Sequence, residues 1–229
     1  MSSFFKSLFS SRDEPGVRLV VFDFDGTLAD TKKLFMNIVR KHVAKFDISL
    51  TEHLIKVFGN APLHDYLSLT GIRNDLVKSV TQSIQEDFLA EYQNIKACKN
   101  FKFVKDIKTK KIIVSYNFTE FIEKTLNFWR ADFFDSVLGA DHFGDKSHAI
   151  KHLCKKYRIS PEEIVYIGDK DVDVDVARAV GCYSVIVSNK SSWSSREEIS
   201  LKKPDYLIKD LGTLPRVIEL INSAKISSI

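Results

Sequence analysis

Two aspartates, Asp23 and Asp25, stand at the end of the apolar run Leu19-Val20-Val21-Phe22, separated by Phe24 and followed by Gly26. In extended chain, residues two apart leave on the same face, so both carboxylates can converge on one ligand. Burying unpaired charge is costly, which requires a cation or a reacting group to share the site. Such a pair suits a division of labour: one carboxylate attacks while the other carries protons. A second acidic group closes another apolar run, Ile164-Val165-Tyr166-Ile167-Gly168-Asp169, with Asp171, Asp173 and Asp175 behind it. Gly168 permits a close turn of the backbone. A helix from about Val172 to Val180 sends those later acids to different faces, so they cannot all serve one ion.

Other residues are open to two readings each. Ser115 ends the run Lys111-Ile112-Ile113-Val114; its hydroxyl can hold a phosphate oxygen beside the helix that begins near Phe118, or it can simply cap that helix. Lys146, introduced by Gly144-Asp145, is either solvated surface charge, as most lysines are, or a point charge that neutralises a phosphate and an attacking carboxylate that otherwise repel each other. Lys151 competes with it for that role. His53, His64 and Tyr66 can face a substrate or serve as surface and packing residues.

The elements that must position these groups alternate. Val17–Asp23, Lys111–Ser115, 136–140, 164–169, Tyr183–Val187 and Tyr206–Ile208 read as strands. Helical spacing follows the first of them in Leu34, Phe35, Ile38, Val39, His42 and Val43, then from Thr51 through Val57, from Pro62 to Leu69, and from about Asn74 to Asn94. A short helix over Phe101, Val104 and Ile107, a helix from about Phe118, a helix with Ala149, Ile150, Leu153 and Tyr157, and a terminal helix over 213–224 complete an α/β pattern. Ser191–Ser195, with Trp193, reads as a surface loop.

At 229 residues with 44% hydrophobic and 28% charged side chains, the chain can bury a substantial core without staples. A net charge of +4 with dispersed lysines points to no nucleic-acid partner. Cys98, Cys154 and Cys182 show neither zinc nor dithiol spacing and are expected to be reduced fillers in a cytoplasmic protein. Residues 1–13 are expected to form a loose arm; a weak membrane or partner contact through Phe4, Phe5, Leu8 and Phe9 is the alternative. No run reaches transmembrane length, and no membrane partner is expected.

Asp23-Phe24-Asp25-Gly26-Thr27-Leu28-Ala29-Asp30 resembles the first motif of the haloacid dehalogenase superfamily. Ser115, Lys146 and Gly168-Asp169-x-x-x-Asp173 follow in the order of its remaining motifs over nearly the whole chain. The resemblance is closest to the phosphoglycolate-phosphatase-like group. It implies a doubly wound, Rossmann-like core (14–30 and 98–229) with an all-helical cap (31–97) inserted after the first motif.

The implied function is a magnesium-dependent phosphatase acting on a small phosphorylated metabolite, as monomer or homodimer. Asp23 is then the nucleophile and Asp25 the acid and base, with Lys146, Ser115 and Tyr116 at the phosphate. Mg2+ is held by Asp23, Asp169 and the backbone carbonyl of Asp25, with Asp173 direct or through water. Asp171 and Asp175 are left as solvated charges. The family's second motif often continues with Asn, but here Tyr116 follows Ser115 and Asn117 comes after it. A sugar-phosphate mutase shares the same core and acids. A carbon-phosphorus hydrolase would need a Schiff-base lysine in the cap, for which Lys45 and Lys56 are available, and a non-catalytic phosphate-binding module is a further alternative.

Overall fold

The structure, a computed structural model, describes residues 16–226; the expected arm at 1–13 lies outside them. In chain order the elements are β1 (Leu19–Phe22), β2 (Ala29–Asp30), α1 (Lys32–Val43), α2 (Glu52–Val57), α3 (Leu63–Ser68), α4 (Asn74–Ala90) and β3 (Lys96–Ala97). These are followed by β4 (Lys110–Val114), α5 (Thr119–Phe128), β5 (Ser136–Leu138), α6 (Lys146–Tyr157), β6 (Ile164–Gly168) and α7 (Asp171–Val180). Last come β7 (Tyr183–Val187), α8 (Arg196–Leu201), β8 (Tyr206–Ile208) and α9 (Leu214–Ile226).

Six strands form one parallel sheet in the order β5-β4-β1-β6-β7-β8. Strand β1 is central because all four of its residues are apolar and buried, leaving no face for water. Val20 and Phe22 face one packed layer with α5 and α9, through Phe121, Ile122, Val217 and Ile221. Leu19 and Val21 face the other layer, where α6 and α7 contribute Ala149, Ile150, Leu153, Ala177 and Val180. Helices on both faces make this a doubly wound α/β fold.

Register decides what meets at the sheet's carboxyl edge. Phe22 lies opposite both Ile113 on β4 and Ile167 on β6, and the Asp23 amide continues the ladder to the Ile167 carbonyl at 2.8 Å. The residues just past the three strand ends, Asp23, Ser115 and Asp169, therefore emerge side by side at the crevice where the winding reverses.

Helices α1 to α4 occupy the segment between β2 and β3, and these two short strands pair antiparallel, Ala29 with Ala97 and Asp30 with Lys96. The chain thus leaves and rejoins the sheet domain through adjoining backbone. Helix α4 earns its place by an apolar stripe of Val77, Val80, Ile84 and Phe88, all buried. It stops at Ala90, and Tyr92–Asn94 form a separate 3-10 turn where the sequence suggested one continuous helix. Phe88 stacks on Phe121 of α5 with centroids 4.1 Å apart, and Phe121 meets Phe24 edge-on at 6.1 Å. One aromatic column therefore runs from the insert into the loop of the first acids.

The expectation of a surface loop at Ser191–Ser195 is corrected. Ser191, Ser192 and Ser194 are buried, because their hydroxyls and amides tie the segment to itself and to the core, as in Ser192 Oγ to the Val187 carbonyl at 3.0 Å and Ser194 Oγ to Asp171 Oδ1 at 2.8 Å. Helix α8, absent from the sequence reading, starts directly after it with a reciprocal capping box between Ser195 and Glu198.

Phe121 is fully buried between the insert and the core. We expect Phe121→Ala to lower stability by about 3–5 kcal/mol, read as a reduced urea midpoint at an unchanged slope.

Candidate active site

Asp23 is 5% exposed and accepts from its own loop at Phe24 N, 2.7 Å from Oδ1, and from the Lys146 ammonium, 2.8 Å from Oδ2. Lys146 arrives on the first turn of α6, whose start is capped by Asp145 accepting from the His148 amide at 2.9 Å. The ammonium also stands 3.7 Å from Asp173 Oδ1. Burial works to lower the Lys146 pKa, but the charges of Asp23 and Asp173 outweigh it and hold the group well above its ordinary value. For Asp23, burial dominates and raises the carboxyl, with Lys146 opposing. The two directions agree once the stoichiometry is considered: one lysine is shared by several buried acids, so it is over-supplied with counter-charge while they are under-supplied.

Asp25 is held differently. Thr31 Oγ1 donates to Oδ1 at 2.7 Å, and the Asn117 side-chain amide donates to both oxygens at 3.1 Å. Ser115 Oγ stands 3.5 Å from Oδ2. Burial, then the neighbouring Asp23 charge, push its pKa up to about 6. Two carboxylates two residues apart therefore differ: Asp23 is clamped by a cation, while Asp25 sits among neutral donors and takes a proton far more readily than an ordinary carboxylate.

Asp169, at the end of β6, is fully buried and accepts from Thr27 Oγ1 at 3.1 Å and from the Trp193 amide at 2.6 Å. Burial and the nearby Asp173 and Asp23 charges raise its pKa well above the usual carboxylate range. Asp173 spends both oxygens within the protein: Tyr166 donates to Oδ1 at 2.8 Å, and the amides of Asp169 and Lys170 donate to Oδ2 at 3.0 and 2.9 Å. This geometry requires two glycines. A Cβ on Gly168 would fall 2.3 Å from the Asp173 carboxylate carbon, and one on Gly26, already at φ +79°, would fall 2.3 Å from Asp169 Oδ2.

Oxygens of Asp23, Asp169 and Asp173 lie within 4.8 Å of one another in a fully buried cluster. Three acids against the paired ammonium of Lys146 and the buried Lys170, whose charge bears on all three, leave an excess of negative charge, and the donors are hard oxygens. That set fits a hard divalent cation and lacks the nitrogen or sulfur ligands of a zinc centre.

The sequence-derived candidates thus fall into place unevenly. Asp23, Asp25, Ser115, Tyr116 and Lys146 line one cavity together. Ser115 is not the helix cap: its hydroxyl accepts from the Asn117 amide at 3.2 Å, and α5 begins only after Phe118. The Tyr116 hydroxyl accepts from the Lys146 backbone amide at 3.3 Å, and the Lys146 ammonium stands 5.1 Å from the ring centroid. Lys151 is exposed. His64 lines the cavity, His53 is exposed, and Tyr66 is buried against Phe58. Asp171 and Asp175, expected as solvated charges, are half-buried; Asp171 accepts from Ser194, and Asp175 pairs with Arg178 and Lys202. Lys45 and Lys56 are both exposed and stand outside the cavity lining, which weighs against a Schiff-base role.

Sequence reasoning missed four groups. Thr27 sits inside the first motif and Asn117 one residue beyond the expected Asn, so both left a signal. Trp193 was read only as part of a surface loop, and Lys170 left no signal. Lys170 is 4% exposed, lines the cavity and donates to the Phe58 carbonyl at 2.5 Å.

A sequence model of the family described as haloacid dehalogenase-like hydrolase matches residues 20–187. A phosphoglycolate phosphatase from Vibrio vulnificus is 25% identical over 88% of this chain and 96% of its own length. A glyceraldehyde 3-phosphate phosphatase from Pyrococcus furiosus is 27% identical over 90% and 93% respectively. Among solved structures, a predicted phosphatase from Clostridium acetobutylicum superposes with a TM-score of 0.75 at 21% identity, covering 90% of this chain and all of that one; it shares the fold.

A cation on the acid cluster should register as stability. At about 100 times Kd, linkage gives about 2.7 kcal/mol, so magnesium is expected to raise the melting temperature of the wild-type chain. Asp169→Asn removes one buried charge: it is expected to melt higher than wild type in chelator and to gain much less from magnesium. Differential scanning fluorimetry with and without chelator checks both.

Proposed function

Because the chain belongs to the haloacid dehalogenase-like hydrolase family, we propose that it is a magnesium-dependent phosphatase cleaving a small phosphomonoester through an aspartyl-phosphate on Asp23. The observation that carries this reading is the contrast within one loop: Asp23 clamped by Lys146 at 2.8 Å, and Asp25, two residues on, held by neutral donors with its pKa near 6. An attacking carboxylate must be ionised and a general acid must hold a proton; burial raises the pKa of both groups, and the Lys146 ammonium bonded to Asp23 opposes that rise there.

In the first half-reaction an Asp23 oxygen bonds to phosphorus as the ester P–O bond breaks, and Asp25 gives its proton to the departing alkoxide. In the second, Asp25 takes a proton from the water that attacks the aspartyl-phosphate, and inorganic phosphate leaves with Asp23 restored. Lys146 and Ser115 bind the phosphoryl oxygens, and Tyr116 seats Lys146. Asp23, Asp169 and the Asp25 backbone carbonyl would hold Mg2+, which when bound supplies charge neutralisation for the phosphoryl group. Asp173 would act on the ion directly or through water, and it holds the Asp169 backbone amide.

Segment 31–97 is the cap in this reading. It supplies one wall of the cavity over Asp23 and Asp25, so an ester seated there would be shielded from bulk water. The curated relatives named above support a small phosphorylated substrate for this chain. Among the described residues no helix is long and apolar enough to cross a membrane.

Phosphate release from a panel of phosphomonoesters tests the assignment. Asp23→Asn is expected to lower it at least about a thousandfold and Asp25→Asn by about a hundredfold to ten-thousandfold, with circular dichroism unchanged in both. Chelator is expected to stop release by the wild-type chain. Undiminished release by Asp23→Asn would remove the proposed nucleophile.

A further inference from the structure

The cavity that opens from Asp23 and Asp25 has a volume of about 210 Å3. Away from the acids its walls carry rings from five places in the chain, Phe35 on α1, Phe58 after α2, Phe88 on α4, Phe118 before α5 and Trp193 after β7, alongside aliphatic residues of the insert, Leu63 and Ile84 among them. Phe58 and Trp193 stack across the junction of insert and core, with centroids 5.1 Å apart and planes at 27°. Phe35 tilts against Phe58 at 4.5 Å.

Further contacts lock this wall. The buried Lys170 ammonium donates to the Phe58 carbonyl at 2.5 Å and stands 6.0 Å from the Trp193 centroid. Lys56, two residues before Phe58, pairs with Glu198 at 2.6 Å, five residues beyond Trp193. The Trp193 amide is fixed on Asp169 at 2.6 Å. The flat surface is therefore held in place relative to the reacting carboxylates, and Trp193 and Phe118, both half-buried, line the cavity.

Polar groups on the insert side are few. Among the described residues of the insert lining this cavity, Thr81, Gln85 and His64 carry polar side chains, and the Thr81 hydroxyl already donates to the Val77 carbonyl at 2.8 Å. In this part of the cavity a leaving group rich in hydroxyls finds, among the described residues, only Gln85, His64 and the unpaired indole N–H of Trp193. These are too few partners for several hydroxyls that lose water, and each unmatched group carries a desolvation penalty. A planar ring would instead exchange water for offset or edge contacts with fixed aromatic neighbours.

Resting on the phosphatase reading, we propose that the substrate is a phosphomonoester whose alcohol carries a small planar ring, seated against the Phe58–Trp193 wall. Trp193 is its specificity-determining residue. The ring stays outside the bonds that change: phosphorus passes from the ester oxygen to Asp23, and the ring-bearing alcohol leaves with the proton from Asp25.

The test compares kcat/KM for benzyl phosphate, phosphoglycolate, glycerol 3-phosphate and glucose 6-phosphate, using the full chain with magnesium. Benzyl phosphate leaves as an aliphatic alkoxide, so ring fit is not confounded with an acidic leaving group. It is expected to be preferred at least about tenfold, and Trp193→Leu is expected to cut the ratio of benzyl phosphate to glycerol 3-phosphate about tenfold, chiefly through KM. Equal or better turnover of the glycolate or polyol esters overturns the proposal and leaves the phosphatase reading intact. Failure to hydrolyse any ester removes that reading instead. Binding then decides the pocket: tighter quenching of tryptophan fluorescence by benzylphosphonate than by propylphosphonate supports the ring site, and equal affinity overturns it.

Discussion

Buried negative charge is the constraint on which the rest of this molecule depends. Parallel register forces Asp23 and Asp169 to the same edge of the sheet, and the turn after β6 adds Asp173. The protein answers with directed donors: the Trp193 amide and Thr27 for Asp169, two amides and Tyr166 for Asp173, and one ammonium for Asp23. None of these is a full counter-charge for the set. The cluster is therefore organised around a deficit of positive charge.

That constraint also explains why the centre of the fold was legible in the sequence and its rim was not. An apolar run ending in Asp-x-Asp, and another ending in Gly-Asp, state a buried strand and the acids at its end in consecutive residues. The helical stripes of α1 and α4 were similarly local. The segment 191–195 was misread because its serines look like loop composition, while the Ser192 hydroxyl is bonded to the Val187 carbonyl and the Ser194 hydroxyl to the Asp171 carboxylate. Lys170 left no trace because its meaning comes from Phe58, far away in the chain, and only the packed insert brings that carbonyl to it. Ser115 shows the intermediate case: its place at a strand end was legible, but whether it capped a helix depended on where α5 starts.

The insert and the sheet domain share more than a boundary. Phe88, Phe121 and Phe24 form a continuous aromatic path into the first acidic loop, and Phe58 with Trp193 forms a second one beside Asp169. These two paths set how far the helical wall stands from Asp23, Asp25 and Asp169.

The pairing of Ala29 with Ala97 and Asp30 with Lys96 has a further consequence. Closing a chain excursion costs entropy that grows only slowly with its length, provided the ends can meet. Here the ends meet as neighbouring strands, so to the sheet the whole helical segment is equivalent to the loop of a hairpin. Such an arrangement lets the excursion be lengthened, shortened or exchanged during evolution without altering the register that places Asp23 beside Asp169.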